Sequence, residues 1–127
     1  MKIAINDRRK IHAIQESFSE MFPYLKIEFF SKPHKSGDPS PEKFMKSSGK
    51  TIGECRTVHS NGTMTILPNM TVTDLVDGFS ETFGLSVQVF RKSGKIWLET
   101  SATVNWTLDN ENKMGEEMSN PLSEDNL

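Results

Sequence analysis

The chain has 127 residues, a quarter of them charged, a net charge of −2 and one cysteine. That length suits a single domain around one core, and the lone Cys55 excludes an intramolecular disulfide, as in a reducing compartment. No stretch approaches the ~20 apolar residues that span a bilayer, and the charges Asp7-Arg8-Arg9-Lys10 follow Met1 too closely for a secretory leader. The sequence therefore predicts a cytoplasmic protein with no membrane partner.

Residues 1–5 alternate weakly as a short strand with Ile3 and Ile5 inward. Over 7–22, Ile11, Ile14, Phe18 and Phe22 recur at spacings of three and four, which marks one face of a helix, with Asn6 or Asp7 as its cap. Pro23 stops that helix. Leu25, Ile27 and Phe29 then alternate with Lys26, Glu28 and Phe30 as in a half-buried strand. Residues 33–50, rich in Pro, Gly, Ser and Lys, read as a long basic loop, with one helical turn starting at Ser40-Pro41-Glu42. An added strand is expected over 51–59, turning at Asn61-Gly62.

Met64 and Ile66 mark a further strand that ends at Pro68. Thr71 and Asp74 form a variant capping box for a second helix, with Met70 placed to staple onto Leu75. Val72, Leu75, Val76, Phe79 and Phe83 make its stripe, and Gly84 stands where a left-handed residue commonly ends a helix. Leu85, Val87 and Val89 alternate with Ser86, Gln88 and Phe90, and a reversal at Ser93-Gly94 leads into an edge strand over 95–100. Trp106-Thr107 staples and caps a thin helix to about Met118, weakened by Gly115; residues 119–127 read as a disordered tail.

Phe18-Ser19-Glu20-Met21-Phe22 returns as Phe79-Ser80-Glu81-Thr82-Phe83, and residues 25–32 line up with 85–92. A strand–helix–strand unit thus occurs twice, over about 1–32 and 62–92, within a single α+β domain spanning 1–118. The expected architecture is a ferredoxin-like βαββαβ sandwich from an internal duplication, with an added edge strand and a C-terminal helix. Both helices would cover one face of a four-stranded antiparallel sheet.

The other face carries the candidate site. A turn centred on Ser93-Gly94 sets Lys92 opposite Lys95 and Phe90 opposite Trp97, and the repeat places Phe30 on the same face. Phe30, Phe90 and Trp97, flanked by Lys32, Lys92 and Lys95, suit a protein contact or the stacking of single-stranded bases. The competing expectation is that the C-terminal segment covers these rings through Trp106, Leu108 and Met114. Lys35, Lys43, Lys46, Lys50 and Arg56 form a second, looser candidate, a basic loop for phosphate backbones.

Other chemistry finds little support. Gly49-Lys50-Thr51 resembles the end of a phosphate-binding loop, but Phe44 stands where the first glycine is needed. Cys55 and His59 share one side of the expected strand, without the third group that would orient a nucleophile and its base. One Cys and three scattered His fall short of a zinc site, and Glu111, Glu116 and Glu117 read as a solvated helix face. No catalytic residue, metal or cofactor is predicted.

Ile5-Asn6-Asp7-Arg8-Arg9-Lys10-Ile11, Phe29-Phe30-Ser31-Lys32-Pro33-His34-Lys35 and residues 85–99 resemble stretches of a family of small uncharacterised bacterial proteins. That family has no established activity, so the resemblance implies a bacterial cytoplasmic origin and no site residue. The sequence leads to a non-enzymatic interaction module that binds a protein partner or a second copy through the sheet face. Single-stranded nucleic-acid binding is the alternative, and a Cys/His enzyme is a third reading.

Overall fold

Ile3 and Ile5, alternate residues of the first strand, are both buried, and they pair with Met64 and Gly62. The computed structural model describes residues 1–32 and 38–120. Its elements are β1 (Lys2–Ile5), α1 (Ile11–Met21), β2 (Leu25–Phe30), β3 (Gly62–Thr65), α2 (Val72–Phe83), β4 (Ser86–Ser93), β5 (Ile96–Glu99) and α3 (Leu108–Ser119). Single turns of 3-10 helix lie at Glu42–Phe44, Ile52–Cys55 and Ser101–Thr103. The fold is α+β with two antiparallel sheets: β1 pairs with β3, and β4 lies between β2 and β5.

The βαββαβ order is present, but these strands do not join in one four-stranded sheet. β2 pairs with β4, and its other edge is taken by residues 44–46 through a bridge from Phe30 to Met45. The Ser31 N–H donates to Phe44 O and the Lys46 N–H to Phe29 O, so no place beside β2 is left for β3.

The register extends the repeat well past what side chains reveal. Ile3 pairs with Met64, an offset of 61, and Glu28 pairs with Gln88, an offset of 60. These are the offsets that align the helices and the strands after them in the sequence. β1 with β3 and β2 with β4 therefore each pair as counterparts about a shared centre, the pattern an approximate two-fold axis produces. The backbone hydrogen bonds repeat with it. Ile11 N–H to Lys50 O and His12 N–H to Ser48 O recur as Val72 to Trp106 and Thr73 to Val104. Ile52 N–H to Arg9 O and Gly53 N–H to Asp7 O recur as Leu108 to Met70 and Asp109 to Pro68. Lys46 N–H to Phe29 O recurs as Thr100 N–H to Val89 O. The two units thus run at least over 1–53 and 62–109.

Local chemistry explains where the elements start and stop. Asn6 Oδ1 accepts from the Arg8 and Arg9 N–H groups and closes a turn, so α1 begins at Ile11 instead of at residue 7. Thr71 and Asp74 make the expected capping box, and Gly84 ends α2 at φ 62°. The strand expected over 51–59 is replaced by a 3-10 turn, because Thr51 and Glu54 form a capping box of their own. The helix expected after Trp106-Thr107 is α3, with Thr107 as its cap. Residues 121–127, most of the tail expected to be disordered, lie outside the described residues.

Phe18, Phe22, Phe79 and Phe83 are all buried, so the repeated Phe-Ser-Glu-x-Phe is scaffold. α3 packs on the Arg91 side of the sheet. A Cβ on Gly115 would lie 2.8 Å from Tyr24 Cβ and 3.1 Å from Tyr24 O, so only glycine allows this approach. Glu111 is not solvated as expected: it is fully buried, accepting from Arg91 Nη1 at 2.8 Å and Thr103 Oγ1 at 2.7 Å. Burial pushes its carboxyl above the ordinary carboxylate value, against the pull of those two donors.

Candidate binding face

The β4–β5 turn decides which side chains meet. Gly94, at φ 64°, supplies the positive φ that the first position of a two-residue hairpin turn demands. The turn is therefore Gly94-Lys95, with Ser93 opposite Ile96, and the ladder is shifted by two from the expected register. Trp97 stands opposite Lys92, and Phe90 opposite Glu99. A shift of two preserves the faces, so Phe90, Lys92, Trp97 and Glu99 still share one side, joined by Lys26 from β2.

Lys26 organises this side, and sequence reasoning had left it out. Its Nζ lies 5.3 Å from the Phe90 ring centroid and 5.0 Å from that of Trp97, within cation–π range of both, and 3.6 Å from Glu28 Oε1. The signal was available, since strand alternation puts Lys26 on the face of Phe30. Residues 38–46 roof the far end of the face. There Ser40 accepts from Gln88 Nε2, and its N–H donates to Glu99 Oε1. Between roof and rings lies a concavity of about 370 Å³ lined by Lys26, Ser40, Met45, Phe90, Trp97 and Glu99.

Phe30 is not part of the open surface: it is buried at 1% exposure beneath the bridge to Met45. Among the described residues the C-terminal segment does not cover Phe90 and Trp97 either. Trp106 lies across the sheet, its ring 5.7 Å from the Arg91 guanidinium carbon. Among the described residues β5 is an open edge, and its Ile96, Trp97 and Leu98 are 60%, 37% and 38% exposed. Lys95 is exposed at the turn and Lys92 half-buried.

The basic loop does not hold together as one surface. Lys32 and Lys43 both lie over the Phe44 ring, at 4.7 and 5.1 Å, while Lys50 is exposed elsewhere. Lys35 lies outside the described residues. Arg56 is buried, contrary to its placement in that loop. Nε and Nη2 donate to Asp7 Oδ1 at 3.0 and 2.9 Å, and Nη1 donates to Ser60 O and Phe83 O at 2.7 and 2.8 Å. Asp7 Oδ2 meets His59 Nδ1 at 2.8 Å. The His59 hydrogen bond and the Arg56 guanidinium hold the Asp7 carboxyl below its ordinary value.

Cys55 and His59 take different partners: the thiol donates to Thr51 O at 3.3 Å and the imidazole faces Asp7. Burial pushes the thiol upward, which disfavours the thiolate a nucleophile needs. Cys55 lines a second, polar concavity of about 380 Å³ with Lys46, Ser31, Ser80 and Ser86. Among the described residues no three His, Cys, Asp or Glu converge as metal ligands, and no helix is long and apolar enough to cross a membrane.

Among the described residues the fold is α+β with two antiparallel sheets, the larger covered at one edge by residues 44–46 and bounded at the other by β5. Comparison with protein-family models, curated proteins and solved structures finds no match to the chain.

Proposed function

We propose that this is a non-enzymatic binding module, working in the cytoplasm, that engages a protein through β5 and the outer face beside it. The observation that carries this reading is the exposure of Ile96, Trp97 and Leu98 on an edge strand continuous with the Phe90–Lys26 concavity. Edge strands left open and apolar invite another chain, and proteins with no use for such an edge usually cover or charge it. Aromatic rings beside a lysine stem offer a partner both apolar area and a polar rim. A Trp97→Ala variant that keeps the native circular dichroism spectrum should lose the partner that wild-type bait retains in a quantitative affinity purification. Equal recovery on both baits would remove this face from the contact.

A second reading rests on Trp97 standing opposite Lys92, a ring beside a cation, as in stacking on single-stranded bases near phosphate. It predicts retarded migration of labelled single-stranded RNA or DNA that weakens steeply with salt. Absence of retardation at low salt would eliminate it. The first reading is favoured because Lys26 already occupies positions over both rings and Phe30 adds no third platform.

A further inference from the structure

The open edge has a chemical order that selects its occupant. In an antiparallel ladder, alternate residues point both backbone groups at one neighbour. A two-residue turn closes on a hydrogen-bonded pair, here Ser93 and Ile96, and the Thr100 N–H bond to Val89 O falls on the same alternation. Trp97 and Glu99 therefore turn their N–H and C=O groups away from β4, toward the open side.

We propose that β5 pairs with β5 of a second copy, antiparallel and centred on Trp97; this deepens the binding-module reading and rests on it. The segment Lys95-Ile96-Trp97-Leu98-Glu99 is self-complementary about its middle residue. Centred on Trp97, the pairing sets Lys95 against the partner's Glu99, Ile96 against the partner's Leu98, and the two Trp97 rings side by side. Like meets like in size, and opposite charges meet at both ends. Centring on Leu98 keeps backbone bonding feasible but places Trp97 against a carboxylate and leaves Lys95 without its counter-charge. The Trp97 register is the one that matches size and charge, with Glu99 Oε1 also accepting from the Ser40 N–H.

The result is a continuous six-stranded sheet with β2 at either end, where residues 44–46 already cover the edge. Both Lys26–Phe90–Trp97 concavities would open on the same face and adjoin across the axis. One added strand buries less than the about 1,200 Å² of a stable standard interface, so the dimer is reversible and depends on concentration.

Sedimentation velocity of the full chain across a concentration series tests it. Wild type should shift from monomer to dimer. Lys95→Glu or Glu99→Lys should each weaken the dimer about tenfold, since symmetry breaks the contact twice. The double variant, with the charges exchanged, should restore it. Trp97→Cys should give a disulfide-linked dimer on mild oxidation, while wild type, with only the buried Cys55, should not. A wild type monomeric at every concentration overturns the proposal, as does a double variant no better than the singles, or a dimer in which Trp97→Cys fails to cross-link. A monomer that still captures a partner through Phe90 and Trp97 overturns the dimer alone and leaves the binding module standing.

Discussion

All three guanidinium nitrogens of Arg56 donate within the fold, two to Asp7 and one to the carbonyls of Ser60 and Phe83. Phe83 O is one of the carbonyls that the end of α2 leaves without an intrahelical partner. Truncation as Arg56→Ala strands these acceptors, and chemical denaturation should show a loss of about 2–4 kcal/mol. Asp7 adds a pH dependence. Its folded carboxyl sits below the ordinary 3.8, so its ionised form is favoured in the folded state. Its contribution is complete above 3.8 and is lost as pH falls through the lowered value. Unfolding midpoints measured from pH 6 downward should fall less steeply for Asp7→Asn than for wild type. Glu111 works in the opposite sense: its raised value favours the protonated form in the folded state, so its ionisation weighs against folding as pH rises.

The seat of α3 against Tyr24 depends on Gly115. Gly115→Ala would raise intrinsic helix propensity by about 1 kcal/mol. The added methyl meets Tyr24 Cβ and a backbone oxygen that cannot retreat, and this decides the sign. The variant should unfold at lower denaturant and expose amides of residues 108–119 to faster hydrogen exchange. The sequence reading of Gly115 as a weak point in a helix named the right residue for the wrong reason. The strands and helices whose apolar side chains repeat, such as Leu25/Ile27/Phe29 and Val72/Leu75/Phe79, were legible because burial imposes a period. The 3-10 turn at Ile52–Cys55 was written in Thr51 and Glu54 and overlooked beneath an apparent alternation. The roof over Phe30 was not legible, because its bonds run between backbone groups of residues 29–31 and 44–46 and ask little of their side chains.

At the scale of the whole molecule, β1 and β2 of the first unit pair with β3 and β4 of the second. Among the described residues, within-unit pairing is confined to β4 with β5 and to isolated bridges such as Phe30–Met45. Separate fragments 1–59 and 60–127 should therefore be unfolded or self-associated alone and regain native circular dichroism when mixed. Stable, monomeric, native-like structure in either fragment by itself would refute this dependence. The match of 18–32 to 79–92 made the two strand–helix–strand units visible in sequence, since core positions tolerate little change. The recurring backbone bonds at the helix starts join Lys50, Ser48, Trp106 and Val104, residues with no chemistry in common.

The Glu28–Gln88 pair lies at the centre of the β2–β4 register. Were two identical half-length chains to assemble with this symmetry, the residue on the axis would have to face itself, and a glutamate there would confront a glutamate beside a buried sheet. Within one polypeptide that obligation is absent, because the two positions differ: one is a carboxylate and the other a neutral amide. Any axis between two whole molecules would bring the obligation back. Its central position must again accept its own image, and on β5 that position is a tryptophan, uncharged and free to lie beside another ring.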